Sequence, residues 1–266
     1  PISFKDHSTR EVFGDYIDIY DMTQAVKDGA TRPVFYESRV VNLKLDEATL
    51  QRIDAEYDQM AEEAEEYAIE KSKRELARID SLLGADETIN SLVDDILTHY
   101  EDYRQYEQTG KAMIVAYSRP IAMKIYQRIL QLRPLWTEKV AVVMTSGNQD
   151  PEEWRPIIGN DTHKKELEKR FKDNDSPLKI AIVVDMWITG FDVPCLDTMY
   201  IDKPLQQHTL IQTISRVNRV YPGKDKGLVV DYIGIKNNLN TALKKYATGE
   251  NEDAGSVEAV EHSIVM

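Results

Sequence analysis

Two short segments carry the side chains best suited to chemistry. One is Asp185-Met186-Trp187-Ile188-Thr189-Gly190-Phe191-Asp192, and the other is Gln212-Thr213-Ile214-Ser215-Arg216-Val217-Asn218-Arg219. Guanidinium groups are planar, permanently charged forks that match phosphate oxygens. Arg216 and Arg219, three apart, are expected on or at the end of one helix, sharing a face. So placed, they can reach a nucleoside triphosphate bound by another lobe and stabilise the charge of phosphoryl transfer. Gly190 lets the backbone turn close to a ligand, Thr189 offers a hydroxyl, and Asp192 offers a carboxylate for a ribose or an arginine. Each segment alone has a plainer reading, as a strand-to-loop turn and as a solvated helix face. Their order in one chain, each beside an apolar run that reads as a buried strand, favours the joint reading. Both are then expected where an α/β sheet presents its ligand-binding edge.

Competing chemistries lack their parts. A complete nucleotide hydrolase needs a glycine-rich loop ending in Gly-Lys-Ser/Thr to cradle phosphates and hold magnesium. The chain has none. Gly110-Lys111-Ala112 precedes a strand, lacks the earlier glycine spacing, and has alanine where the magnesium-binding hydroxyl belongs, so it reads as a turn and strand start. Val183-Val184-Asp185 and Val229-Val230-Asp231 end in carboxylates, but neither has a second carboxylate beside it. Tight binding of magnesium-ATP by this chain alone is not expected. Its histidines are scattered with no HExxH pattern, and the single cysteine, Cys195, excludes a disulfide framework and a cysteine zinc site. No Gly-x-Ser-x-Gly elbow is present. No metal site is expected.

The elements that must position these groups show in the hydrophobic pattern. From Lys111 onward the chain alternates short apolar runs with helical periods. Met113–Tyr117, Val140–Met144, Ile180–Val184, Thr198–Ile201 and Leu228–Val230 read as buried strands, and Ile121–Leu132, Lys164–Lys172 and Leu210–Val217 as helices. That rhythm predicts an α/β fold with a parallel sheet covered on both faces. Ahead of it, residues 1–45 mix turns and short strands. There Asp21 to Gly29 reads as a capped helix, and Arg32 to Leu45 holds two strand candidates, the second alternating through Val41, Leu43 and Leu45. Residues 46–108 turn helical, through Leu50, Ile53, Tyr57 and Met60, then Ile69 to Leu83, then a third helix from Asp86. They read as a solvated acidic insertion. The lobe core is placed at 109–235, with a polar tail over 236–266.

Charge sorts the same way. The net charge is −13, which by itself argues against a nucleic-acid partner. Between Asp46 and Gln108, however, lie 19 acidic and 6 basic residues, which is the whole excess. The rest of the chain is neutral, so bulk charge says nothing against a local phosphate-binding track. No stretch approaches about 18 consecutive apolar residues, so no membrane span is expected. The start at Pro1 shows no signal-peptide pattern, and a soluble, cytoplasmic protein is expected.

The motifs also carry a family resemblance. Thr189-Gly190-Phe191-Asp192 resembles motif V, Gln212-x3-Arg216-x2-Arg219 motif VI, and Lys111 to Arg119 (KAMIVAYSR) motif IV of superfamily 2 helicases and translocases. Phe13 to Thr31, Trp187 to Leu205 and Gln212 to Gly234 resemble the motor (R) subunit of type I restriction-modification enzymes across nearly the whole chain. The resemblance implies the second, C-terminal RecA-like lobe of the motor core. Pro1-Ile2-Ser3 would follow that family's motif III, so a phosphate loop, DEAD-type carboxylates and a nuclease domain would lie upstream in the same polypeptide.

Carried over residue by residue, the resemblance makes Arg219 the arginine finger toward the γ-phosphate and Arg216 its partner, with Gln212 orienting them or sensing nucleotide. Gly190 and Asp192 would approach the nucleotide. Thr189, Ser118, Arg119, Thr145 and Ser146 would meet DNA phosphates, contacts that position without reading bases. The implied cofactors are ATP and magnesium, bound mainly by the first lobe. The implied partners are double-stranded DNA and separate methylation and specificity subunits. Cleft closure on ATP, hydrolysis and reopening would then move the lobe along duplex DNA. Two other readings stay open: a lobe of another superfamily 2 RNA helicase or remodelling translocase, and a non-catalytic RecA-like scaffold whose acidic arm binds a protein.

Overall fold

The structure, a computed structural model, describes residues 22–39, 80–147, 150–188, 190–205, 207–234 and 264–265. The helices expected between residues 46 and 79, the strand through Val41, Leu43 and Leu45, and most of the polar tail lie outside them. So do the Asp21 cap and Thr189.

The apolar runs form β1 (Val34–Ser38), β2 (Lys111–Ala116), β3 (Val140–Val143), β4 (Ile180–Val183), β5 (Leu196–Asp202), β6 (Gly227–Asp231) and β7 (Ile264–Val265). They make one sheet in the order β3-β4-β2-β5-β6-β1-β7, and every pairing is parallel. Strands β2, β4 and β5 are buried at every position, so both of their faces are covered. Chain crossing over the sheet supplies the cover: helices α1 (Met22–Lys27), α2 (Asp86–His99), α3 (Arg119–Leu132), α4 (Asp161–Lys172) and α5 (Gln207–Ile214). Pro120 sits in the first turn of α3, where its missing N–H costs nothing. Asn160 caps α4 by accepting the His163 backbone N–H at 2.9 Å.

Helix α2 departs from the expectation of a solvated insertion reaching to Gln108. Its Ile89, Leu92, Val93, Ile96 and Leu97 are buried in the same core as the central strands. A single π-helical turn, Tyr100–Arg104, follows it. There Arg104 donates to Asp197 (3.1 Å) and Thr198 (2.7 Å) of β5, while Asp197 also accepts the Thr109 hydroxyl at 2.6 Å and the Gly110 N–H at 2.9 Å. The His99 ring meets the Tyr200 hydroxyl at 2.9 Å. Burial lowers the His99 pKa, which suits a neutral ring in that place. The charge count groups this stretch with the acidic residues before it, but its apolar face and buried polar bonds make it part of the lobe.

Candidate functional site

The acidic loop starts at the C-terminal end of β4 and ends at the N-terminal end of β5. Both strands run parallel to β2, which lies between them. The loop must therefore cross the sheet over a strand's length, rather than sit at its C-terminal edge as the motif order led us to expect. Helix α5 and the segment after it make the corresponding return between β5 and β6.

The arginines lie beyond α5, not on one helical face. Tightened i→i+3 bonds, Arg216 N–H to Thr213 (3.1 Å) and Val217 N–H to Ile214 (3.0 Å), close the last turn, and the Ser215 hydroxyl donates to the Gln212 carbonyl at 2.7 Å. The chain then runs irregularly past the N-terminal end of the sheet, where the Asn218 carbonyl accepts the Arg32 N–H at 2.6 Å. Gly227 at the start of β6 packs so closely that a Cβ there would stand 2.3 Å from the Val217 carbonyl oxygen. This close approach pins the arginine segment against the sheet.

Loop and arginines meet directly. Arg216 Nε donates to the Ile188 carbonyl at 3.1 Å, and Arg219 Nε pairs with Asp192 Oδ1 at 3.2 Å. Burial lowers the Arg216 pKa, and the Arg219 charge beside it adds to the effect. Arg219 and Asp192 remain 50% and 60% exposed, so the pair stands on the outer surface of the lobe, able to exchange partners. Gln212 is half-buried on α5. Gly190 has a φ of +71° with no atom within 4 Å of a notional Cβ, which leaves open space over the loop.

Ser118, Arg119, Thr145 and Ser146, expected on a phosphate track, gather elsewhere, at the C-terminal ends of β2 and β3. Ser118 precedes α3 in extended backbone, and its buried hydroxyl has no hydrogen-bond partner among the described residues. Arg119 is not a free cation. It forms a salt bridge with Asp150 and lies over the Trp154 ring at 6.0 Å, while Asp150 also accepts the Gly147 N–H at 2.6 Å. These bonds lower the Asp150 pKa, the Arg119 hydrogen bond most of all. Thr145 and Ser146 are exposed in the loop that this clasp closes. The sequence-chosen residues therefore form two groups: Gly190, Asp192, Arg216 and Arg219 in one, Ser118, Arg119, Thr145 and Ser146 in the other.

Other residues escaped the sequence reading. Asp202, the last residue of β5, is fully buried with no partner for either oxygen among the described residues, and burial with neighbouring Asp231 pushes its pKa well above the usual carboxylate range. Tyr200-Ile201-Asp202 repeats the apolar-run-then-aspartate signal seen at Asp185 and Asp231, so it was there to be found. Asp231 is structural, accepting the Tyr36 hydroxyl and the Ile233 and Gly234 N–H groups, and Asp185 pairs with Lys203 at 2.5 Å. Trp187 has a φ of +68°, which no sequence pattern announces. Lys111, from the glycine-lysine decoy, is buried at the start of β2 and donates to the Leu178 carbonyl at 2.5 Å. No group of three or more His, Cys, Asp or Glu side chains that could hold a metal ion occurs among the described residues.

Comparison with known proteins bears on the family of the chain. A family model described as type I restriction enzyme subunit R domain 3 matches residues 148–234, the stretch holding the loop and the arginines, and a SWI2/SNF2 ATPase model matches residues 1–70. The chain is 42% identical over 257 residues to the type I restriction enzyme MjaIXP endonuclease subunit of Methanocaldococcus jannaschii, covering 95% of this chain and 24% of that protein. It is 38% identical over 271 residues to the HindI endonuclease subunit of Haemophilus influenzae, covering 98% of this chain and 25% of that one. The chain belongs to the family of type I restriction enzyme endonuclease (R) subunits. It spans about a quarter of the length of these relatives.

The R-subunit lobe has a RecA-like α/β fold, and solved structures share it. A fragment of an HsdR subunit of a type I restriction enzyme from Vibrio vulnificus YJ016 superposes with a TM-score of 0.56 at 15% identity, covering 90% of this chain and 39% of that one. The type ISP restriction-modification enzyme LlaBIII, solved bound to DNA, gives 0.50 at 16% identity, covering 96% and 15%. At such identities the likeness speaks to the fold alone. No helix among the described residues of the R-subunit lobe is long and apolar enough to cross a membrane.

Proposed function

We propose that this chain is the second motor lobe of an R subunit, supplying an arginine finger and DNA-backbone contacts to ATP-driven translocation along double-stranded DNA before cleavage. The observation that carries this reading is the half-exposed Arg219, held beside Asp192 on a segment pinned to the sheet, with Arg216 tied to the same loop. A guanidinium fixed at its base and open at its tip can meet a phosphate presented by another body. ATP and magnesium are held mainly by a first lobe carrying the phosphate loop. Arg219 neutralises charge developing on the transferred phosphoryl group, Arg216 keeps the loop and the finger in register, and Gln212 orients the pair. Gly190 and Asp192 line the nucleotide side. Exposed Thr145 and Ser146, Ser118, Thr189 and the clasped Arg119 face the phosphates of the duplex. The nuclease domain belongs to the same polypeptide, and methylation and specificity subunits select the site.

The test is DNA-stimulated ATP hydrolysis by the full R subunit, assembled with its partner subunits, with and without Arg219→Ala. Turnover is expected to fall by at least ~10³-fold with duplex binding retained. Unchanged turnover would remove the arginine-finger assignment and favour a scaffold role for the lobe.

A further inference from the structure

Trp187 stands at the head of the acidic loop in a backbone conformation that an aromatic residue rarely adopts, with φ at +68°. A tryptophan that merely filled the core could do so from ordinary backbone. Here the surroundings hold the strained form. Its indole, 7% exposed, lies between two other rings. Phe191 stacks on it at 4.2 Å between centroids and 12° between planes, and Phe171, at the end of α4, at 5.5 Å and 22°. Phe171 is fully buried, and Lys172 lies over the Phe191 ring at 4.9 Å.

The stack has a consequence for the loop between its rings. Trp187 and Phe191 are four residues apart and flank Gly190, so their ring contact closes the loop on itself and ties it to α4. The next residue after each ring makes a bond to an arginine: the Ile188 carbonyl takes Arg216, and the Asp192 carboxylate takes Arg219. Resting on the function proposed above, we propose that Trp187 is a positioning residue, whose stack with Phe171 and Phe191 sets the Ile188 and Asp192 acceptors and through them the placement of both arginines. Trp187 does not touch the nucleotide. It acts through the loop.

The experiment is steady-state DNA-stimulated ATP hydrolysis by the full R subunit in its complex, comparing Trp187→Leu, Trp187→Phe and Arg219→Ala, with a melting curve for each. Misplacing a catalytic group by about 1 Å can cost roughly 100-fold. Trp187→Leu, which keeps apolar bulk but no ring, is expected to lower kcat by roughly 10- to 100-fold with KM for ATP changed less than about 2-fold. Trp187→Phe, which restores the stack, is expected to recover kcat to within about 3-fold. If Trp187→Leu does not fold, Phe191→Leu removes the stack from its other side and is expected to show the same split. Arg219→Ala inactive with Trp187→Leu at wild-type kcat overturns this proposal and leaves the motor reading intact. Losses in Trp187→Leu and Trp187→Phe that follow melting temperature alone overturn it as well. If neither Arg219→Ala nor Trp187→Leu alters turnover, the motor reading itself falls, and the positioning role with it.

Discussion

Two glycines beside the arginines differ in what they are for, and substitution separates them. Gly227 is needed for space, because a Cβ would meet the Val217 carbonyl oxygen at 2.3 Å and carbonyl carbon at 2.8 Å, both backbone. Gly227→Ala must displace the arginine segment and is expected to cost about 1–3 kcal/mol by overpacking, read as a lowered urea midpoint. Gly190 is needed for its left-handed backbone alone, since open space surrounds it. Gly190→Ala is expected to cost about 1–2 kcal/mol, and a larger loss would show that the loop is packed more tightly than the structure has it. At this scale the sequence was informative about residue type and silent about partner. That Arg216 and Arg219 belong beside the Gly190 loop could be read from order and chemistry. That Arg216 donates to a backbone carbonyl could not, because the Ile188 carbonyl looks like every other one until the chain is folded.

Elements explain why the lobe begins earlier than charge suggested. Every strand and helix expected from Lys111 onward is present with shifts of a few residues at the ends, since buried parallel strands and amphipathic helices print their periods directly into the sequence. Helix α2 also prints its period, but its acidic content matches that of the sequence before it. Its attachment is made by Arg104 and Asp197, 93 residues apart, a pairing that no local pattern reveals. Both side chains are almost wholly buried. Asp197→Ala would leave Arg104 with only the half-exposed Glu107 as an anionic partner and take the acceptor from the Thr109 and Gly110 N–H groups, and a loss of about 3–5 kcal/mol is expected in chemical denaturation. A change below about 1 kcal/mol would mean that apolar packing and the remaining polar bonds of α2, such as that between His99 and Tyr200, hold it to the sheet without this pair. The motif order also implied an edge site, whereas the strand order β4-β2-β5 sends the loop across a face. Sequence spacing reports which elements follow one another, and only the pairing reports which way the chain must travel.

For the molecule as a whole, buried lysines make stability depend on pH in an unusual direction. Burial lowers the pKa of both Lys111 and Lys224 from 10.5 to about 8, against opposing pulls from Cys195 and, at Lys224, from Asp197. Between about 8 and 10.5 the unfolded chain therefore holds more protons than the folded one, and stability rises with pH. Above about 10 the buried tyrosines reverse the slope. The Tyr100, Tyr200 and Tyr232 hydroxyls are pushed up by burial, so they ionise first in the unfolded chain. Urea midpoints are thus expected to climb from pH 8 to about 9.5 and to fall again by about 11. Lys111→Met is expected to flatten the climb, and a midpoint that is level from 8 to 9.5 would show that these ammonium groups are solvated.

The pairing of Arg219 with Asp192 bears on how one protein keeps two polyanionic ligands apart. An isolated guanidinium attracts any phosphate within a Debye length, about 8 Å at physiological ionic strength. Joined to a carboxylate 3.2 Å away, it presents a dipole, whose field dies away faster with distance. In the proposed motor, a passing DNA strand would feel little from this surface. A triphosphate delivered against it could take the place of Asp192 on Arg219, the displaced carboxylate, 60% exposed, turning to water. Selection between nucleotide and nucleic acid then rests on contact rather than on long-range attraction.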